Sequence, residues 1–152
     1  MTDLQEVKDR LEIRELIELY TLSVTLRDWE TLGSCFHPDA RWHSSVGHDF
    51  RTRQAIQDGI RATAEAMEFL FQMSHGVVIR ELTPERAKAN VVLNEIGRYV
   101  GRDAGVFVLG VYYDTLVKHE GRWVFEDRDF QAHYIDTAKP AGRQLVDYAA
   151  QP

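Results

Sequence analysis

The feature that most constrains this chain is a change of period near Met67. Before it, apolar residues recur at helical spacings. After it they alternate with polar ones over four long segments: Phe69 to Leu82, Ala87 to Val100, Val106 to His119, and Trp123 to about Ile135. The connections are Thr83-Pro84-Glu85, the five residues from Gly101 to Gly105, and Glu120-Gly121. Each holds Pro or Gly where a turn needs one. Links this short join antiparallel neighbours. The helical part comes first and the strands follow, which is an α+β arrangement. A strongly bent antiparallel sheet wrapping three helices leaves a cone open at one end, and a ligand pocket is expected at that mouth.

The helical part divides in three. Asp3 followed by Glu6 fits a capping box, and Leu4, Val7, Leu11, Leu16, Leu19 and Tyr20, widened by Ile13 and Ile17, predict an amphipathic helix over about 3–23. Asp28 predicts the N-cap of a second helix through about Phe36, stopped by His37-Pro38-Asp39. Ala40 to Ser45 reads as a short strand and Val46 to Arg51 as a polar loop. Thr52 caps a third helix to about Met67. A tail from Thr137 carries Pro140, Gly142 and a possible helical turn over Leu145 to Tyr148. The domain is therefore read as 1–136 and the tail as 137–152.

Composition narrows the class. At 152 residues the chain is one domain in size, long enough to bury roughly 70% of its unfolded surface. Cys35 is the single cysteine, so no internal disulfide framework exists. A net charge of −6 argues against nucleic acid as a partner. The first twenty residues mix charge with apolar residues, unlike a secretory leader, and no apolar run approaches the roughly 20 residues of a membrane span. A cytoplasmic location is expected. No phosphate loop, nucleophile elbow or dinucleotide glycine pattern occurs, and the histidines lack metal-ligand spacing, so neither cofactor nor metal is expected.

Alternation then assigns faces. Phe69, Phe71, Met73, His75, Val77 and Ile79 share one face of the first long strand, with Gln72, Ser74 and Arg80 on the other. On the next strand Ala87, Ala89, Val91, Leu93, Glu95, Gly97 and Tyr99 share a face. His75 and Glu95 thus each stand in an apolar row, and a symmetric turn brings them opposite one another. On pattern alone His75 also reads as a core histidine bonded to a backbone carbonyl, and Glu95 as a strand residue facing solvent. An apolar second face, with Val92, Ile96, Val108 and Tyr112, needs cover and predicts a homo-oligomer, a dimer or trimer built through the sheet.

Several stretches resemble one family: Ile13-Arg14-Glu15-Leu16-Ile17-Glu18-Leu19-Tyr20, Arg27-Asp28-Trp29-Glu30, Phe36-His37-Pro38-Asp39-Ala40, Ser74-His75-Gly76, Gly110-Val111-Tyr112-Tyr113-Asp114, and Gly121-Arg122-Trp123 followed by Arg128. Over about 3–136 the chain resembles the SnoaL-like domains of the nuclear transport factor 2-like superfamily, which share a cone-shaped, cystatin-like fold. That superfamily includes scytalone dehydratase, bile acid 7α-dehydratase and hexachlorocyclohexane dehydrochlorinase. In its dehydratase-like members a His on the first long strand acts with an Asp at the end of the first helix. The resemblance implies that His75 is that His, that Tyr20 and Trp42 line the pocket, and that Arg128 occupies an Arg position on the last strand. Thr25 stands where the Asp is expected, and Glu95 is the candidate replacement. Phe71 and Met73 are expected on the pocket wall, with Thr25, Trp42 and Arg128, against the substrate.

Two functions follow from the resemblance. One is a cofactor-independent dehydratase, isomerase or cyclase acting on a small hydrophobic cyclic molecule, with His75 as general acid/base and Tyr20 donating to the oxygen that gains charge. The other is a non-catalytic ligand-binding or oligomerisation domain, or a small subunit of a ring-hydroxylating dioxygenase. Thr25 favours the second; His75 in its apolar row favours the first.

Overall fold

The computed structural model describes residues 2–148. Helices α1 (Asp3–Leu26) and α2 (Trp29–Ser34) come first, then strands β1 (Phe36–Ser44) and β2 (Asp49–Arg51), then α3 (Arg53–Glu65). Strands β3 (Met67–Leu82), β4 (Arg86–Tyr99), β5 (Gly105–His119) and β6 (Arg122–Asp136) complete the fold. They form one sheet in the order β2-β1-β6-β5-β4-β3. The antiparallel meander β3 to β6 is as expected from the short links. The sheet as a whole is mixed, because β1 runs parallel to β6. The chain leaves β1 through the β2 hairpin and crosses by α3 to the far edge, a long connection of the kind a parallel neighbour requires. β2 is a strand where a loop was expected; it is a short edge, paired by Arg41, Trp42 and His43.

Helix α1 is apolar on two sides. Its N-cap is Thr2 rather than Asp3, with Thr2 Oγ1 accepting from the Gln5 N–H at 3.2 Å. Ile13, Leu16, Ile17, Tyr20 and Val24 are buried, whereas Leu4, Val7, Leu11 and Leu19 of the expected stripe are exposed. At roughly 100° per residue these two sets fall on opposite sides of the helix, and the sheet takes only one. Asp28 and Thr52 cap α2 and α3 as expected, accepting from Thr31 N and Ala55 N. Arg27 ends α1 in the left-handed region (φ 59°) and donates to the carbonyls of Ala64, Met67 and Glu68. That contact ties the end of α1 to the end of α3 and the start of β3. Among the described residues, no helix is long and apolar enough to cross a membrane.

The core lies between the helices and the inward face of the sheet. It is built from Ile13, Ile17, Tyr20 and Val24 on α1, Ile56 and Ile60 on α3, and Leu93, Tyr112, Leu116 and Phe125 on the strands. On β5 the inward row includes Val108 and Tyr112, not the outer face expected for them. Val92 and Ile96 do face out. Phe71, Val92, Leu109, Tyr113 and Tyr134 leave that outer face substantially apolar and exposed.

The tail from Thr137 runs across the outer side of β3 and β4 without helix through Asp147. Arg98 donates to the carbonyls of Pro140 and Gly142, and the Arg27 guanidinium stacks on Tyr148 at 4.2 Å. Gly105 permits the crossing: a Cβ there would lie 2.3 Å from Pro140 Cδ.

Candidate functional site

Between the helices and the sheet is a cavity of about 320 Å³. Its walls are apolar: Ile60 from α3, Met67 and Leu70 from β3, Leu93 from β4, Val108 from β5 and Phe130 from β6. The exposed lining residues mark its mouth, with Val46 and His48 between β1 and β2 on one side and Ile135 and Thr137 on the other. His48 packs at a tilt against Trp42 and Phe50 at this rim, with ring centroids 5.9 and 5.7 Å away.

Two polar groupings stand in this apolar setting. The first is Glu95 with Gln72. Alternation along β4 holds, so Glu95 points inward with Leu93 and Gly97, and Gln72 Nε2 donates to its Oε2 at 2.5 Å. Burial pushes the Glu95 carboxyl above the ordinary range, and the Gln72 hydrogen bond only partly offsets this. Glu95 is the one carboxylate among the described lining residues.

The second grouping is the hydroxyl pair of Tyr20 and Tyr112, 3.4 Å apart. Burial pushes both phenols up. Behind them, outside the cavity lining, lies Arg128, 1% exposed. Its guanidinium carbon is 4.3, 3.8 and 4.0 Å from the ring centroids of Tyr20, Tyr112 and Phe125. Nε and Nη2 donate to the two carboxylate oxygens of Asp114 at 2.8 and 3.0 Å. A cation on the ring faces favours negative charge on the hydroxyls, which makes the pair better donors to an oxygen gaining charge. Trp42 completes the wall, stacked on Phe50 at 5.8 Å and edge-on to Tyr112 at 6.5 Å; its indole N–H is buried.

The structure brings Tyr20, Trp42 and Glu95 together at the cavity. It does not bring His75, Phe71 or Met73 there. The β3 row Phe69-Phe71-Met73-His75 faces outward, while Leu70 and Gln72 face in. The reason is a β-bulge: Ser74 pairs with Leu93 and Val77 with Val91, so β3 has one residue more than β4 across that interval. Beyond the bulge Val77 is buried, in keeping with the expected row. From Phe69 to His75 the side chains are on the face opposite to the one expected. His75 is exposed and bonds the Asn94 side chain, on the far side of the sheet from Glu95. The expected His75–Glu95 pair is therefore not formed. Thr25 and Arg128 are buried but do not line the cavity. Thr25 Oγ1 accepts from the Gln72 backbone N–H at 3.1 Å and lies 3.5 Å from the Gln72 carbonyl, so it fixes the β3 main chain at the residue that holds Glu95.

Gln72, Tyr112 and His48 are among the polar lining residues that sequence reasoning missed. Gly76 was the available signal, because a glycine inside a strand pattern marks a bulge. Placing that bulge between Ser74 and Val77 turns Gln72 inward.

A family model described as a SnoaL-like domain matches residues 5–129. Among solved structures, a hexachlorocyclohexane dehydrochlorinase of type 2 superposes with a TM-score of 0.84 at 16% identity, over 96% of this chain and 98% of that one. A candidate scytalone dehydratase from Novosphingobium aromaticivorans gives 0.81 at 19% identity, over 94% and 99%. A protein of unknown function with a cystatin-like fold from Nostoc punctiforme gives 0.66 at 21% identity, over 87% and 93%. At these identities the likeness is one of fold. No curated protein matches the chain.

Proposed function

As the chain belongs to the SnoaL-like domain family, on a match that spans residues 5–129, we propose that it is a cofactor-independent lyase or isomerase that moves a proton on a small, neutral, hydrophobic cyclic molecule. One observation carries this reading: the Glu95 carboxyl stands in an apolar cavity with an amide, not a cation, as its partner. Burial raises its proton affinity, which is the direction general acid/base work by a carboxyl calls for. Glu95 takes the proton carrier role expected of His75, whose side chain points away from the cavity.

In the reaction, Glu95 removes a proton from a carbon next to a carbonyl. The C–H pair moves into the carbonyl, whose oxygen gains charge and accepts from the Tyr20–Tyr112 pair. The proton then returns to another carbon, which is isomerisation, or to a departing hydroxyl, which leaves as water. Trp42, Leu93 and Phe130 hold the ring. With Arg128 engaged by Asp114, no free cation lines the cavity among the described residues, so an anionic ligand is disfavoured beside Glu95.

The test is deuterium uptake by a panel of cyclic ketones and hydroxyketones in D₂O, followed by proton NMR. The expected result is exchange beside the carbonyl that falls about 100-fold or more in Glu95→Gln, the usual range for loss of a general base. Tight binding of a ketone with no exchange would overturn the enzyme in favour of a binding domain. We further propose that the exposed apolar outer face of β3 to β6 carries a second copy of the chain; light scattering that gives a monomer at micromolar concentration rejects this.

A further inference from the structure

Glu95 has one side-chain hydrogen-bond partner among the described residues, the Gln72 amide, and that amide is only half used. Nε2 donates to Glu95, while Oε1 is buried with no partner. An unmade bond at a buried carbonyl oxygen is costly. Its main chain, however, is clamped: Thr25 Oγ1 bonds the Gln72 N–H, and Gln72 pairs with Glu95 across the strands. The freedom left to the residue is in its side chain, where the terminal amide torsion is broad and roughly twofold.

We infer that Gln72 is the positioning residue of the proton-handling pair: its amide donates N–H to the Glu95 carboxylate and, turned over, accepts the O–H of the Glu95 acid through the oxygen now unpartnered. This rests on the proton-transfer reading of the cavity. The chemistry of the two states requires such a partner. An ionised carboxylate only accepts, whereas a carboxylic acid also donates. Lys or Arg would serve the first state alone and would hold the carboxyl ionised. A primary amide serves both, so Glu95 can gain and lose a proton without losing its bond. The proton moves between the ligand carbon and a Glu95 oxygen, and Gln72 changes orientation but not charge.

The surroundings leave this pair to itself. From α1 the cavity receives Tyr20, from β5 Tyr112, from β4 Tyr99, and from the turn between β1 and β2 His48. The α3 contribution, Ile60 and Thr63, is uncharged. Arg128 on β6 lies behind the tyrosines and is bonded to Asp114. Beside Thr25, which stands where a dyad Asp is expected, the geometry points to a different division of labour: Thr25 fixes the strand, Gln72 holds the carboxyl, and Glu95 carries the proton.

The experiment is an NMR titration of the intact, isotope-labelled protein that follows the Gln72 side-chain amide and the Glu95 carboxyl carbon together. The expected result is that the Gln72 NH₂ resonances move with the Glu95 midpoint. In Gln72→Met both states lose their partner, and the midpoint shifts upward because the charge-assisted bond to the carboxylate is the stronger of the two. Amide resonances that stay still through the Glu95 titration overturn the inference, as does an unmoved midpoint in Gln72→Met. If that variant does not fold, the wild-type amide decides alone. The two readings fail separately: absence of deuterium uptake on every ketone sinks the reaction, whereas a static amide sinks only the role of Gln72.

Discussion

Asp114 and Glu95 are two carboxyls on adjacent strands, both pointing to the inside of the sheet, and their surroundings differ in partner and in access to the cavity. Asp114 is 3% exposed and meets a guanidinium through two parallel hydrogen bonds. Glu95 meets an amide. Burial pushes both upward, and at Asp114 the Arg128 guanidinium pulls against the shift and favours the ionised form. The pair with the cation is sealed behind Tyr20 and Tyr112 and keeps the charge fixed. The pair with the amide lines the cavity and leaves the proton free to move. The contrast teaches that burial alone does not make a carboxyl chemical; the partner and the access to a ligand decide it.

The largest effect comes from breaking the sealed pair. Arg128→Met leaves Asp114 buried without a counter-charge, and loss of one partner of such a pair costs about 3–5 kcal/mol. Urea denaturation is expected to show that loss. Replacing both members, Arg128→Met with Asp114→Leu, is expected to recover a large part of it, since the cost lies mainly in the stranded charge. A single variant as stable as the wild type would mean that Asp114 takes up a proton or reaches water, and would erase the contrast with Glu95.

The second effect is smaller and has a sign set by pH. Glu95 in the folded chain binds its proton more tightly than in the unfolded chain. The native state therefore holds that proton over a range where the unfolded state has lost it, and stability falls as pH rises through that range. Its contribution is fully present below the unfolded value, near 4.5, and is lost as pH climbs through the folded one. Glu95→Gln removes this dependence. Denaturation curves at a series of pH values are expected to show the variant gaining on the wild type as pH rises. A constant gap across the series would place a counter-charge beside Glu95 and end its distinction from Asp114.

Much of this arrangement is legible in the residues. The four long strands and their turns follow from a period of two and from Pro and Gly at the links. On β4 nothing interrupts the alternation, so Leu93 and Glu95 are read on the correct face. On β3 the same reasoning gives the wrong face for Phe71, Met73 and His75, because a one-residue bulge inverts every side chain on one side of it. Before the bulge the outward row, Phe69-Phe71-Met73, is more apolar than the inward one with Gln72 and Ser74, so hydrophobicity points to the wrong face. Helix α1 misleads for a related reason: leucines on its outer side extend the apolar pattern beyond the face that the sheet buries. Tyr20 and Trp42 were legible because the resemblance and their size agree. Gln72 was not, since a polar residue on a strand reads as solvent-facing until the register is known.

The smallest expected effect is at His75. The side chain is exposed, its hydrogen-bond partner Asn94 is also on the outer face, and among the described residues no carboxylate bonds it. An exposed residue of this kind changes stability by no more than about 0.5 kcal/mol on truncation. His75→Ala is accordingly expected to unfold with the wild type and to leave deuterium uptake by cyclic ketones unchanged, while Glu95→Gln removes it. This pair of variants tests the bulge as directly as it tests the chemistry. Were the strand regular from Met67 to Ile79, His75 would share an inward row with Val77 and its loss would stop the reaction. A fall of 100-fold in His75→Ala would therefore return the proton to the histidine, in a register with Ser74 out and His75 in, and Glu95 would become its partner rather than the carrier.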